Sequence, residues 1–410
     1  MDKIVIILVM AEEKWKEADF LRQEIEERGL KTMILDMGLI DEPRGKCDIT
    51  REDVILASGC DLEDTVLITD RGRRMPTMVE GGKNLVMGLH SQDKLLGVIS
   101  LGGATGTQMG TSIMKSLPFG VPKVAVSSTA SVKGLAERYI GTADIGLIHT
   151  VVEFGGLDDL MKNILARAAG SLCGMVDASI RTPVNVHNMK RKSLVAMTHF
   201  GPCELCAMDV RKRLEGNGYQ VVGFSASGIC DRAMEEFIEK MNIFSAVIDL
   251  APGGVGEELL GFARAAGASR LEAAGRKGLP QVITLSGVNF GSPRKSAYKA
   301  EYQDRKKYDY DALRSFIRLS ADEMVMVARE IARKIDQAKG PVKVIIPSGG
   351  WSSVDKRGSR FYDKELDRIF IREFKDRLRD RDVIIEVDAD LDTPEFATEI
   401  IRAFTKIMEE

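Results

Sequence analysis

Short apolar runs alternate with amphipathic segments from the start of the chain. Residues 4–9 (IVIILV) and 32–36 (TMILD) are mostly apolar, and between them Ala18, Leu21 and Ile25 recur at helical spacing. A strand, an amphipathic helix and a second strand predict a βαβ unit with parallel strands, because the crossover helix covers one face of the sheet. The first half continues with strands predicted at 95–101 and 121–127 and helices at 107–116 and 157–175.

The second half resumes this alternation after a break. Residues 183–192 lack apolar periodicity and contain Pro183 and a basic run, which predicts a linker. Strands are predicted at 193–198, 219–224, 246–250, 281–285, 342–347 and 383–387, and helices at 204–214, 232–240, 257–266, 321–336, 364–377 and after Pro394. The polar stretch 292–310 predicts a long mobile loop. The pattern therefore predicts an α/β protein with two Rossmann-like domains, 1–182 and 193–410, whose mainly parallel sheets face a central cleft.

Composition narrows the classes of function. The 410 residues are 44% hydrophobic and 29% charged, as in ordinary globular proteins, and the net charge of -3 offers no basic field for nucleic acid or an anionic membrane. The longest apolar run, 4–11, is far shorter than the ~20 residues of a membrane span. It also lacks the features of a signal peptide, and six cysteines are too few for a disulfide framework. We therefore expect a cytoplasmic protein without nucleic-acid or membrane partners.

A segment rich in glycine and hydroxyl groups follows the strand at 95–101. It reads GGATGT at 102–107 and opens a predicted helix, where backbone N–H groups attract anions. The spacing matches neither a Walker loop, which needs a Lys after its last Gly, nor GxGxxG. The segment is either a tight turn whose glycines allow close packing or a phosphate site. The residues of such a site would be Gly102, Gly103, Thr105, Gly106 and Thr107.

Other polar residues are expected at the same edge, because the carboxyl ends of parallel strands meet there. Lys14 follows the first strand, and Asp36 ends the second. Asp36 is either an acceptor for a ribose hydroxyl or a helix cap. The hydroxyls that follow the strand at 121–127 are those of Ser127, Ser128 and Thr129, which suit a phosphate or its metal ion.

Loops rich in glycine or hydroxyl groups also follow four strands of the second half. They predict a second binding surface, for a small polar molecule, formed by Cys203, Ser227, Gly228, Arg232, Gly253, Gly254, Gly350 and Ser352. Three thiols, those of Cys203, Cys206 and Cys230, could meet there beside His199. A helix N-terminus favours the thiolate, so these cysteines either bind a metal ion or an iron–sulfur cluster, take part in redox chemistry, or pack as small buried residues.

These loops occur in the order found in a known family. Residues 100–127 (SLGGATGTQMGTSIMKSLPFGVPKVAVS) resemble the glycine-rich core of the Tm-one-like ATP-binding family, which comprises microbial proteins and the plant inhibitor of tomato mosaic virus. Further matches are 166–176 (ARAAGSLCGMV), 270–281 (RLEAAGRKGLPQ), 289–291 (NFG) and 361–363 (FYD). The resemblance implies ATP with Mg²⁺ in the first domain and a homodimer or higher homo-oligomer. By resemblance, the phosphates would be wrapped by Gly102, Gly103, Gly106 and Thr107, with Ser127, Ser128 and Thr129 alongside.

The sequence departs from the family pattern in both domains. After the first strand the family has Gly-Thr-Leu-Asp-Thr-Lys-Gly, where this chain has VMAEEKW at 9–15, so that Lys14 and loosely Glu12 match. In the second domain a Thr-Thr-Thr-Glu segment is replaced by APGG at 251–254. The second-domain ligand is therefore expected to differ from that of most relatives.

Three functions follow from these features. The first is an ATP-binding enzyme that acts on a small polar metabolite between the domains, with Lys14 and Arg232 neutralising charge and Asp249 or Asp355 as base. The second is a nucleotide-responsive regulatory or interaction protein without turnover. The third is a metal- or thiol-dependent enzyme that uses Cys203, Cys206 and Cys230.

Overall fold

The computed structural model describes residues 3–184, 188–189, 193–294, 297–309, 315–359 and 361–409. The chain divides into two compact units, Met1–Val184 and Asn185–Glu410. The division lies inside the predicted linker, most of which is outside the described residues.

The first unit is built on a parallel five-stranded sheet in the order β2-β1-β3-β4-β5. Its strands are β1 (Ile4–Val9), β2 (Lys31–Asp36), β3 (Leu95–Gly102), β4 (Lys123–Ser127) and β5 (Gly146–His149). Its helices are α1 (Ala11–Glu26), α2 (Arg51–Ala57), α3 (Leu62–Val66), α4 (Arg71–Ser91), α5 (Ala104–Met114), α6 (Leu135–Ile140) and α7 (Asp159–Arg181).

Helices cover both faces of this sheet, which explains why its strands are almost wholly apolar. Val5, Ile7 and Val9 of β1 pack with residues of α1 and α7, whereas Ile6 and Leu8 pack on the other face with residues of α2, α4 and α5. This alternation follows from the two-residue period of a strand.

The second unit contains a parallel six-stranded sheet in the order β16-β13-β9-β8-β6-β7. Its strands are β6 (Leu194–His199), β7 (Gln220–Ser225), β8 (Phe244–Asp249), β9 (Gln281–Ile283), β13 (Val342–Pro347) and β16 (Ile384–Val387). Two small antiparallel sheets are formed by β10 (Phe290–Gly291), β11 (Lys307–Asp309) and β12 (Ser315–Arg318), and by β14 (Gly350–Ser352) and β15 (Asp355–Lys356). The helices are α8 (Glu204–Gly216), α9 (Ile229–Met241), α10 (Gly254–Leu260), α11 (Ala273–Lys277), α12 (Ala321–Ile335), α13 (Lys364–Arg377) and α14 (Pro394–Glu409).

The predicted α/β class with mainly parallel sheets is confirmed. The stretch 292–310 was predicted as a loop, and here the structure differs. Its residues Lys307–Asp309 form β11, which pairs with β12, and Tyr302 is buried. This short strand is stabilised by pairing with β12, the next strand in the chain, and its own polar composition gives no sign of it.

Among the described residues, no helix has both the length and the apolar character that crossing a membrane requires.

Candidate functional site

The first unit has one position where its strand connections diverge. From β1 the chain crosses to β2 on one side and then returns to β3 on the other, so β1 and β3 are neighbours with their connections leading away from each other. In open α/β sheets of the order 2-1-3-4-5, ligands bind in the crevice outside the carboxyl ends of these two strands. Gly102, which ends β3, lies at this edge.

The segment after β3 leaves backbone donors free. Gly103 is the N-cap of α5 and carries no side chain to cap it, and no described residue accepts a hydrogen bond from the amides of Ala104, Thr105 or Gly106. A Cβ atom added to Gly103 would have only Ser128 Oγ nearby, at 3.8 Å. Three amides at the positive end of an eleven-residue helix therefore have no partner among the described residues, and the helix begins at the exposed Ala104.

The other glycines of this segment have a packing role. A Cβ atom on Gly102 would lie 3.1 Å from Gly106 Cα, and one on Gly110 would lie 2.5 Å from Ser100 Cβ. These two glycines let α5 approach β3 closely, as the tight-turn interpretation expects. Gly103 has no such constraint.

The hydroxyl groups near this edge form hydrogen bonds with one another, which stabilise the loops after β3 and β4. Thr107 Oγ1 lies 2.8 Å from Ser127 Oγ, which lies 3.2 Å from Thr129 Oγ1, and the latter lies 2.8 Å from the Tyr139 hydroxyl. Thr107 and Ser127 are buried. Ser128 is half-buried and donates to Glu153 Oε1 at 3.2 Å.

Lys14 and Asp36 lie on the α1 side of the same edge. Lys14 Nζ donates to the carbonyl of Phe154 at 2.8 Å and lies 5.8 Å from the centre of that ring. Asp36 Oδ1 accepts from the amides of Ala11 at 2.9 Å and Gly38 at 2.7 Å, so Asp36 caps the start of α1. Burial raises the pKa of Asp36, although both amides lower it.

Glu12, which matches the family segment after the first strand only loosely, is buried at this edge. Its Oε2 accepts from the amides of Ile40 at 2.8 Å and Asp41 at 2.6 Å, which ties the loop after β2 to α1. Its Oε1 has no hydrogen-bond partner among the described residues and lies 3.6 Å from Arg71. Arg71 lies 59 positions away, and no sequence motif links the two.

In the second unit a buried ion cluster occupies the corresponding position. The first and third strands of its sheet, β6 and β8, are neighbours. At their ends Asp249 binds Arg270 through both oxygens, at 2.5 and 2.8 Å, and accepts from the Thr198 hydroxyl at 2.6 Å. The predicted base Asp249 is therefore part of a closed network.

Two further carboxylates surround the same guanidinium. Glu235 lies 3.2 Å from Arg270 Nη1 and Asp231 lies 3.5 Å from its Nε. Neither oxygen of Asp231 has a hydrogen-bond partner among the described residues, and burial raises the pKa of Asp231 to about 6. Of these four residues, only Asp249 was a candidate site residue in the sequence analysis.

The second predicted base, Asp355, also belongs to a buried cluster. Its Oδ1 lies 3.0 Å from Arg318, which contacts Asp367 as well, and Asn289 donates to both carboxylates. Burial raises the pKa of Asp355 to about 7, although the charge of Arg318 lowers it.

The glycines predicted for the second binding surface lie in close contact with neighbouring atoms. A Cβ atom would lie 2.2 Å from Gly287 O at Gly253, 2.7 Å from Ala266 Cβ at Gly254, 2.9 Å from Ala265 O at Gly228 and 2.3 Å from Asp355 O at Gly350. Ser227 is exposed, whereas Ser352 is buried and its hydroxyl has no partner among the described residues. Arg232 is half-buried beside Gly267 and forms no ion pair with a described residue.

The three thiols are in different surroundings. Cys203 and Cys206 are buried at the start of α8, and burial raises the pKa of Cys203 to about 12 and that of Cys206 well above its ordinary value. Cys230 is exposed in the first turn of α9, and His199 binds Glu204 at 2.9 Å. In the part of the chain that the structure describes, no three His, Cys, Asp or Glu side chains form a group that could hold a metal ion.

Both halves of the chain match domain models of one known protein family. Residues 3–181 match the model of the "Uncharacterised protein family (UPF0261) N-terminal domain", and residues 192–408 match that of the C-terminal domain. A UPF0261 protein of Clostridium tetani is 33% identical over 414 residues, covering 100% of both chains. The ToMV resistance protein Tm-1(GCR237) of Solanum lycopersicum is 31% identical over 342 residues, covering 82% of this chain and 45% of the tomato protein.

Among solved structures, a UDP-GlcNAc 2-epimerase from Neisseria meningitidis bound to UDP-GlcNAc aligns with 8% identity and a TM-score of 0.23, covering 68% of this chain and 82% of the epimerase. So low a score supports no conclusion about function.

Proposed function

This chain belongs to the uncharacterised family UPF0261, whose relatives include the tomato mosaic virus resistance protein, and on that premise we propose that its first unit binds ATP. The observation that carries the proposal is the set of amides of Ala104, Thr105 and Gly106 that have no described acceptor, next to Gly103, where a side chain would meet only Ser128 Oγ. Such amides bind phosphate oxygens directly, and the helix dipole adds to the attraction.

The surroundings of these amides support a phosphate-bearing ligand. The crevice lies where β1 and β3 diverge, which is the usual ligand position in this strand order. Lys14 supplies a positive charge on the α1 side of the edge. Ser128 and Glu153 provide hydroxyl and carboxylate oxygens 3.2 Å apart, the ligand type that Mg²⁺ takes when it accompanies a nucleotide.

Gly103→Asp tests the phosphate loop. The backbone at Gly103 is extended with negative φ, so Asp fits there, and its carboxylate would cap the free amides and repel phosphate. We expect ATP affinity measured by calorimetry to fall at least ~10-fold, which is about 1.4 kcal/mol. Gly103→Ala is the matched control, because it adds a Cβ atom and leaves the amides free. Unchanged affinity in the Asp variant, with a native circular dichroism spectrum, would remove this loop from the proposal.

Binding without turnover is the second candidate function. Asp249 and Asp355, the two predicted bases, are both buried and paired with arginines, so neither is free to take a proton from a substrate. ADP release with small polar metabolites distinguishes the two functions. Steady ADP formation above the Gly103→Asp background would support an enzyme, and its absence alongside measurable ATP binding would support a nucleotide-responsive protein. The homodimer expected from the resemblance stays a prediction.

A further inference from the structure

A cleft of about 610 Å³ lies in the second unit between α13 and the strands β13, β14 and β16. Its volume is in the range of sites that hold small molecules. Trp351 lines it beside Asp367, and Lys364, Arg368 and Arg372 line it along α13. None of these residues belongs to the proposed ATP site.

The charges of this cleft do not balance. Every acidic side chain that lines it has a cationic partner: Glu365 with Arg368, Asp376 with Arg381, Glu386 with Lys375, and Asp367 with Arg318. Lys364 and Arg372 also line it, and neither forms an ion pair or a hydrogen bond with a described residue. Lys364 and Arg372 are therefore the two cations of the cleft that form no ion pair with a described carboxylate.

The remaining polar group points to the same chemistry. Trp351 is 1% exposed, and no described residue accepts a hydrogen bond from its indole N–H. An indole nitrogen only donates, as do the side chains of lysine and arginine. Lys364, Arg372 and the Trp351 indole are thus three donors without a described acceptor, and a ligand that satisfies them must supply acceptor oxygens.

We propose that this cleft binds a small molecule with two anionic groups, phosphate or carboxylate, held by Lys364 and Arg372. The two positions are separated by about 12 Å along the helix axis, at 1.5 Å per residue. Because their Cα atoms are this far apart, the two side chains are better placed to hold two groups of one ligand than a single group. Trp351 forms the apolar wall and donates from its indole N–H.

The test uses the fluorescence of Trp351. The chain has a second tryptophan, Trp15, in the first unit, so the experiment is done on the full chain carrying Trp15→Phe. Pyrophosphate and succinate are titrated separately at constant ionic strength, which distinguishes a phosphate from a carboxylate ligand. We expect a saturable change in Trp351 emission with at least one probe.

Variants on α13 distinguish binding in the cleft from nonspecific attraction of anions to the positive charges of the helix. Arg372→Gln and Lys364→Gln should each weaken binding by ~10-fold, as expected for loss of one charge-assisted contact. Arg377→Gln, on the same helix but outside the cleft and paired with Glu373, should change it less than ~2-fold. No saturable change with either probe, or equal weakening by Arg377→Gln, would overturn the proposal.

The outcome is independent of the ATP proposal. Gly103→Asp should leave the Trp351 response unchanged, because Gly103 belongs to the first unit. If pyrophosphate binding is detected by calorimetry but disappears in Gly103→Asp and never changes Trp351 emission, the cleft proposal fails and the ATP site remains.

Discussion

The carboxylate of Asp249 and the guanidinium of Arg270 meet in two parallel contacts, 2.5 Å from Nη1 to Oδ2 and 2.8 Å from Nη2 to Oδ1. Both side chains are almost completely buried at the end of β8. This bidentate geometry is the strongest form of such a pair. It lies at the end of the third strand of the second sheet, whereas the third strand of the first sheet ends at Gly102, next to the uncapped amides of α5. The two sheets therefore share a strand order and differ in the groups that follow the third strand.

Removal of Arg270 should destabilise the second unit strongly. Arg270→Met keeps the bulk but leaves Asp249, Asp231 and Glu235 without their common partner, which we expect to cost about 3–5 kcal/mol. Urea unfolding followed by Trp351 fluorescence in the Trp15→Phe background measures it. The control is Arg402→Gln, in an exposed pair with Glu399, where a loss under about 1 kcal/mol is expected. Equal midpoints for the two variants would contradict the structural role of the cluster.

Asp231 should make stability depend on pH. Burial raises its pKa to about 6, although the charge of Arg270 lowers it, so the folded carboxyl holds its proton to a higher pH than the unfolded one. Its contribution to stability is therefore full below the unfolded pKa, about 4, and is lost as the pH rises through 6. The other charged groups near it are Asp249, Glu235, Arg270 and Arg264.

We expect the melting temperature of the native chain to fall between about pH 4 and pH 6.5 by more than that of Asp231→Asn. The exposed Asp382→Asn is the control and should follow the native chain. A native-like pH dependence in Asp231→Asn would assign the effect to other groups.

Thr107→Val tests whether the Thr107 hydroxyl stabilises the loop or contacts the ligand. The Thr107 hydroxyl is buried against Ser127, so its loss should cost about 1–2 kcal/mol of stability. ATP affinity should change less than ~3-fold, about 0.6 kcal/mol, because the hydroxyl points toward Ser127 and the Thr107 amide bonds Gly103 O. A loss of affinity that matches Gly103→Asp would instead place Thr107 in contact with the phosphates.

The fold was predictable where each element carries its own pattern. The apolar strand β1 and the helical spacing of Ala18, Leu21 and Ile25 predict their structures without reference to the rest of the chain. The helix α4 was not predicted from the sequence, because it contains Pro76 and two adjacent glycines, which usually end helices. Gly81 is tolerated because α2 packs against it: a Cβ atom there would lie 1.8 Å from Val54 O. Only the packed structure reveals that requirement.

The candidate site was predictable as a segment but not residue by residue. Gly102 and Gly103 are adjacent and identical in type, yet a Cβ atom would lie 3.1 Å from Gly106 Cα at the first and would have only Ser128 Oγ nearby, at 3.8 Å, at the second. Asp249, Arg270 and Asp231 are too far apart in sequence to form a motif, and their contacts arise from the order of strands and helices. Sequence patterns indicate where loops converge, whereas the burial and pairing of each side chain depend on its neighbours in space.

Thiol accessibility tests the third of the predicted functions. Cys60 and Cys230 are exposed, whereas Cys203 and Cys206 are buried with raised pKa values, so an aromatic disulfide reagent should react first with two thiols. Cys230→Ser should remove one of these fast reactions, and Cys203 should react only on unfolding. Rapid labelling of Cys203 in the folded chain would contradict its burial and would support a thiol-dependent function.

A pair of glycine substitutions tests the close packing at the edge of the second sheet. Gly253 has a helical backbone conformation that alanine adopts readily, but its new Cβ atom would lie 2.2 Å from the carbonyl oxygen of Gly287. Because that atom belongs to the backbone, the loop must shift, and we expect Gly253→Ala to cost about 1–3 kcal/mol. Gly216, at the end of α8, has nothing within 4 Å of the corresponding position, so Gly216→Ala should be neutral or slightly stabilising.

The two variants are compared by their urea midpoints, both read from Trp351 fluorescence in the Trp15→Phe background. If Gly253→Ala unfolds at the same urea concentration as Gly216→Ala, the loop after β8 has room that the structure does not show, and the second unit's edge is open to a ligand there.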